Sequence, residues 1–221
     1  MQKINDFSDF THLFWDLDGT LTESGPGIIN CVRYALESLG IKEPNDENIK
    51  RFIGPPLVYS FKTFYGFDDE KTKLAIKKYR ERYAQSGILE NSVYEGVAQT
   101  LEALKTKGKK LYIATSKPEI YMFKIIKNFD LEKYFDFACG SDLEETRNDK
   151  TKVINHLLQH ENLDAIRDEG KILMIGDRKH DIIGARENGI KTCAVLWGYG
   201  SKQEFEQNGA DYIIASPSEL I

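Results

Sequence analysis

Short apolar runs recur along the chain, and almost every one is followed by a stretch whose apolar residues repeat at helical spacing. The runs are His12–Trp15, Lys110–Ala114, Lys171–Ile175, Thr192–Leu196 and Tyr212–Ile214, with a weaker one at Phe135–Ala138. They do not alternate apolar with polar, as a strand with one wet face would, so they suit strands buried on both faces of a parallel sheet. Between them, Val97, Leu101 and Leu104, and then Val153, Ile154, Leu157 and Leu158, keep the i, i+3, i+4 spacing that buries one helix face. Repeated βα units of this kind predict an α/β core around a parallel sheet.

One region breaks the pattern. From Glu23 to Leu89 the apolar positions Ile28, Val32, Ala35, Leu36 and Leu39 repeat helically, and further helical stretches follow near Tyr59–Tyr65 and Asp69–Ala84 with no strand between them. The region is opened by SGPG and closed by QSGILENS. This reads as an inserted all-helical cap domain, residues 23–89, on a core formed by residues 1–22 and 90–221.

Composition narrows the function classes. A net charge of −5 gives no reason to expect nucleic acid as a partner, and no run approaches the roughly 18 apolar residues of a membrane span. Cys31, Cys139 and Cys193 are odd in number and widely spaced, without a CxxC pair, and MQKINDFSDFTH lacks the apolar stretch of a signal peptide. A reduced, cytoplasmic chain is expected.

In open parallel sheets, ligands sit at the carboxyl ends of the strands. After the first run, in LFWDLDGTLT, come Asp16 and Asp18; after the second come Thr115, Ser116 and Lys117; after a later one come Gly176, Asp177 and then Asp181, with Lys150 at the head of an intervening helix. If Asp16, Asp18 and Asp177 meet, each pair at ~4 Å repels by ~4 kcal/mol at an effective dielectric of about 20. A cation must hold them, and oxygen ligands without histidine or cysteine select Mg2+, which favours a phosphate oxygen among its ligands. The expected partner is therefore a small-molecule phosphate ester. Asp16 is placed to attack phosphorus and form an aspartyl phosphate. Asp18, as a crowded carboxyl group, is placed to carry protons, while Thr115, the Ser116 amide and Lys150 are candidate donors to phosphate oxygens. Taken alone, Thr115-Ser116 before Lys117-Pro118 also reads as a helix N-cap with proline in the first turn.

DLDGT (Asp16 to Thr20), YIATSKP around Thr115, the lysine of TRNDK (Lys150) and GDRKHD (Gly176 to Asp181) stand in the order of the four motifs of the haloacid dehalogenase superfamily. The chain resembles its phosphoglycolate-phosphatase-like branch over nearly its whole length. The resemblance implies a Rossmann-like core with a mobile helical cap, and magnesium bound by Asp16, the Asp18 carbonyl and Asp177, with Asp181 orienting a metal-bound water. It also implies a phosphatase acting on a phosphoglycolate- or nucleotide-type monoester. The dehalogenases for which the superfamily is named lack an acid at the position of Asp18, which points to phosphoryl transfer. Many relatives carry the motif lysine in a KPxP context, whereas here it stands in NDKTKV, so Lys117, Lys150 and Lys152 all compete. Lys150 is preferred because it precedes the helical run Val153–Leu158.

A phosphomutase or pyrophosphatase would share all four motifs. A signalling receiver domain would place its acceptor aspartate after a later strand, and a non-catalytic phosphate-binding relative would tolerate loss of these acids. In the cap, Arg51 ahead of the stiff Gly54–Pro56 loop is a candidate substrate contact. His156 and His160 lie four apart but lack a third ligand, and Trp197–Gly200 (WGYG) reads as packing under a turn.

Overall fold

A computed structural model of the chain describes residues 6–142, 146–147 and 149–221. The first five residues and Asn148 of TRNDK lie outside the described residues. In chain order the elements are β1 (His12–Trp15), β2 (Thr22–Glu23), α1 (Gly25–Ser38), α2 (Asp46–Lys50), α3 (Leu57–Tyr65), α4 (Asp69–Gln85), β3 (Ser92–Val93), α5 (Val97–Thr106), β4 (Lys110–Pro118), α6 (Glu119–Asn128), β5 (Phe137–Ser141), α7 (Lys150–His160), α8 (Asp164–Asp168), β6 (Ile172–Gly176), α9 (Lys179–Glu187), β7 (Lys191–Val195), α10 (Lys202–Asn208) and β8 (Tyr212–Ile214). The chain divides into two compact units, one of Met1–Thr22 with Val93–Ile221 and the other of Glu23–Ser92.

The first unit is built on a six-stranded sheet in the order β5-β4-β1-β6-β7-β8. All its ladders are parallel, with His12 in register with Lys110 on one side and Ile172 on the other. Phe14, Tyr112 and Met174 pack on one face against Val153, Ile154, Leu157 and Leu158 of α7. Leu13 and Trp15, which alternate to the opposite face, are 2% and 0% exposed. Burial on both faces explains the unbroken apolar runs. The chain leaves β1 towards β4 on one side and later enters β6 on the other, so the carboxyl end of β1 is the topological switch point, where an open sheet forms a crevice.

Four strands differ from the sequence expectation: β6 and β7 are each displaced by one residue, to Ile172–Gly176 and Lys191–Val195, and β4 and β5 differ more. β4 continues past Ala114 to Pro118, with a register shift between Ala114 and Pro118 as it pairs with β5. The weak run at Phe135–Ala138 is displaced to Phe137–Ser141, because a 3-10 turn occupies Glu132–Tyr134.

The second unit is helical. Cys31, Val32, Ala35 and Leu36 of α1 are buried, as are Thr72, Ala75, Ile76, Tyr79 and Tyr83 of α4, and α1 and α4 pack together. Phe52 meets Phe61 at 4.9 Å and Phe64 at 5.5 Å between ring centroids, an edge-on cluster around α3. Glu90 is tied into this unit by Asn30 at 3.0 Å and by both terminal nitrogens of Arg82 at 3.0 and 2.7 Å. α2 is not foreshadowed by periodicity; its five residues are started by Asn45, whose side chain accepts from the Glu47 amide at 3.0 Å. Among the described residues no helix is long and apolar enough to cross a membrane.

Candidate active site

β1 delivers Asp16 to the switch point, and the Asp16 amide donates to Ile175 O at 2.9 Å, extending the ladder by one residue. The chain then turns tightly: the amides of Leu21 and Thr22 donate to Leu17 O at 3.0 and 2.9 Å, and the Gly19 amide to Thr22 O at 2.8 Å. Gly19 has φ +84°, and a Cβ there would lie 2.1 Å from Asp177 Oδ2. The motif's glycine is thus required twice, by the left-handed backbone and by the close approach of the β6 acid.

Asp16, Asp177 and Asp181 each present a carboxylate oxygen within 4.8 Å of the others, and the residues are 8%, 0% and 2% exposed. Lys150, the first residue of α7 and 4% exposed, reaches into this group. Its Nζ lies 2.7 Å from Asp16 Oδ1 and 2.7 Å from Asp181 Oδ1, and donates to Ala114 O at 2.8 Å. Asp181 Oδ2 accepts from the Arg178 amide at 3.0 Å, fixing the start of α9.

The electrostatics are those of an acid-rich cluster in which Lys150 is the ammonium that meets Asp16 and Asp181. Burial raises the Asp16 carboxyl to about 6, opposed by Lys150 and reinforced by Asp181 and Asp18. Burial, with Asp181 and Asp16 nearby, also drives Asp177 well above the carboxylate range. Lys150 is pulled down by burial, but the Asp16 and Asp181 carboxylates prevail and hold it above an ordinary lysine. With all three acids ionised, a single ammonium leaves an excess of negative charge. That excess, on an all-oxygen donor set, fits a hard divalent cation.

The second acid of the motif stands apart from this cluster. Asp18 Oδ2 meets Lys117 Nζ at 2.5 Å, so the crowding expected around Asp18 is answered by an ammonium rather than by another carboxylate. Lys117 arrives there because β4 advances four residues, Ala114 to Pro118, where β5 advances only two, Cys139 to Ser141. The resulting bulge also carries Thr115, 1% exposed, whose Oγ1 accepts from the Lys117 amide at 3.3 Å, and the half-buried Ser116. The N-cap reading of Thr115-Ser116 is therefore set aside: these residues belong to the strand, and α6 starts from Pro118 with no side-chain cap. Of the three competing lysines, Lys150 lies among the acids and Lys117 beside Asp18, while Lys152 pairs with Asp149 at 3.6 Å on the surface.

WGYG does more than pack. The Tyr199 amide donates to Asp177 Oδ2 at 2.8 Å and the Trp197 indole N–H to Thr20 O at 3.0 Å, so the loop after β7 holds both the acid and the motif turn. Its position after a strand, at the carboxyl edge of the sheet, was the available signal. A Cβ at Gly198 would lie 2.4 Å from Asp177 Cβ. In the helical unit, Arg51 ends α2, and its guanidinium lies over the Phe64 ring at 4.1 Å. His160 stacks on Phe137 at 4.1 Å.

Residues 13–195 match the family model described as haloacid dehalogenase-like hydrolase. The chain is 40% identical over 211 residues to a 5'-nucleotidase of Pseudomonas aeruginosa, covering 96% of this chain and 94% of that one. It is 29% identical over 211 residues to a phosphoglycolate phosphatase of Aquifex aeolicus, covering 95% and 94%. The crystal structure of a predicted phosphatase from Clostridium acetobutylicum superimposes with a TM-score of 0.90 at 38% identity, covering 96% of each chain.

Proposed function

The chain belongs to the haloacid dehalogenase-like hydrolases and is a phosphatase of that family, and we propose that it hydrolyses a small phosphomonoester through an aspartyl phosphate on Asp16. The observation that carries this reading is the pairing of Asp16 with Lys150 at the switch point, two residues before a second acid that lies outside the carboxylate cluster. An oxygen of Asp16 attacks phosphorus, the bond to the ester oxygen breaks with its electron pair remaining on that oxygen, and Asp18 supplies the proton that makes it a neutral alcohol. Water then attacks the phosphoryl group, Asp18 takes the water's proton, and the bond from phosphorus to Asp16 breaks to release phosphate and restore both side chains. Lys150, Thr115 and the Ser116 amide supply donors to the phosphoryl oxygens as charge redistributes. The carboxylates of Asp16 and Asp177, with the Asp18 carbonyl implied by the family resemblance, would hold magnesium, with Asp181 orienting a water bound to it; when bound, magnesium supplies the positive charge that lets a phosphate dianion approach a carboxylate.

The names of the relatives support a nucleotide- or phosphoglycolate-type monoester as substrate. In this reading the helical unit is a cap that selects among such esters, with Arg51 as an anion contact. A reducing cytoplasm suits the three buried, unbridged cysteines. The test is phosphate release from a panel of phosphomonoesters with magnesium, together with the intact mass of Asp16→Asn after acid quench. Turnover by the wild type and no phosphoprotein from the variant are expected; an added phosphoryl group on Asp16→Asn would overturn the assignment of the nucleophile.

A further inference from the structure

The loop after β7 closes on the acid of β6 and on the motif turn at once. Trp15 and Ile175 are the last pair of the β1–β6 ladder, so the ladder stops short of Asp177. The Trp197 indole N–H donates to Thr20 O at 3.0 Å, and the Tyr199 amide donates to Asp177 Oδ2 at 2.8 Å. Thr20 is fully buried, and its hydroxyl lies 3.5 Å from Asp177 Oδ1. Between the two donors, Gly198 leaves no room for a side chain: a Cβ there would lie 2.3 Å from Gly19 O and 2.4 Å from Asp177 Cβ. One side chain and one amide of the same loop thus draw together Thr20 and Asp177, which stand 157 residues apart in the chain.

We propose that Trp197 is a positioning residue for the metal site: its indole holds the motif turn against Asp177, so that the cation's ligands stand gathered before it arrives. The inference rests on the reading of Asp16, Asp177 and the Asp18 carbonyl as the magnesium ligands. Asp16 is already tied to β6 through its amide on Ile175 O. The main chain that follows it, which carries the Asp18 carbonyl, and the Asp177 side chain lie beyond the ladder, and the loop after β7 holds both. Like charges brought together repel, and acids that the fold does not hold part when no cation is present. A site that must gather its ligands gives up affinity in doing so, whereas a site held ready does not. Phenylalanine at position 197 keeps an aromatic ring and removes the donor, so Thr20 O loses that partner and the turn is released on the side of β7.

The test is calorimetric titration of full-length, chelator-stripped protein with magnesium chloride, well below the melting temperature, on wild type, Trp197→Phe, Gly198→Ala and Asp136→Asn. Trp197→Phe removes the donor, and Gly198→Ala pushes the loop off both Gly19 and Asp177. Each should raise the magnesium Kd by about 10-fold, the lower end of what losing a group that supports a metal ligand costs. Asp136 precedes β5, at the amino end of the sheet, so Asp136→Asn reports what a general loss of stability does, and its Kd should match that of the wild type. Should one loop variant fail to fold, as its melt would show, the other decides. With magnesium bound by the wild type, an unchanged Kd in a folded loop variant would overturn the role of Trp197 alone. A rise of the same size in Asp136→Asn would make the loop's effect one of general stability and refute the proposal as well. A wild type that takes up no magnesium would overturn the reading of the acids as ligands, and the proposal with it.

Discussion

Replacing Lys150 with methionine removes one charge while keeping an unbranched apolar stem, so it isolates what the ammonium does. In the native protein its nitrogen lies 2.7 Å from Asp16 Oδ1 and 2.7 Å from Asp181 Oδ1 in a site where all the participants are buried. At an effective dielectric of about 20, each contact is worth about 6 kcal/mol before desolvation is subtracted. Removing one partner of a buried ion pair costs about 3–5 kcal/mol net, because the remaining charges are left uncompensated. For a chain of this length that corresponds to a fall in melting temperature of about 6–20 °C. A divalent cation supplies the missing charge, and without the repulsion of Lys150 it binds the variant more tightly. At a concentration 100-fold above its Kd, such a cation stabilises by about 2.7 kcal/mol. Urea unfolding and thermal melts of both proteins, in chelator and in magnesium, measure the two effects. In chelator, Lys150→Met should be less stable by the stated amount, and magnesium should raise its midpoint by more than that of the wild type. A loss below about 1 kcal/mol in chelator, or equal magnesium shifts, would refute this account of the cluster.

Turnover of an aryl phosphate should require magnesium and be inhibited by calcium, whose looser and higher coordination misplaces the nucleophile; full activity in excess chelator would contradict the carboxylate cluster as a metal site. Arg51→Ala should reduce kcat/KM more for an ester bearing a second anionic group than for a neutral aryl phosphate, and equal losses would make Arg51 structural. Burial works to raise the Asp136 carboxyl, but Lys105, the Leu111 amide and Lys110 hold it below its ordinary value. Its contribution is therefore complete above about pH 4 and lost as pH falls through the depressed folded value, so Asp136→Asn should destabilise by about 1 kcal/mol or less at pH 7 and by progressively less as the pH is lowered below about 4, as read by urea titrations across that range. Burial pushes the Cys139 thiol up to about 11 and Cys193 higher still, and Cys31 is fully buried, so Ellman's reagent should titrate the three thiols only as fast as the protein opens.

β1 was legible in the sequence to the residue, as was the start of α4, because apolar period and capping are local properties that survive without knowledge of neighbours. The same holds for the acids: each follows a strand, and a strand's carboxyl end is where a parallel sheet opens. α2 escaped because five residues hold too little periodicity to register. What only the tertiary structure decided is which partner each charged group meets. TSKP could enter a helix or prolong a strand, and pairing with β5, with its shifted register, selects the strand and sends Lys117 to Asp18. Lys150 finds Asp16 and Asp181, and Tyr199 finds Asp177, because β1, β4, β6 and β7 lie side by side in an order that the chain does not follow. Local sequence carries the residue type and its place on an element. The distance between residues far apart in the chain is set by sheet order and register, which depend on the packing of the whole unit.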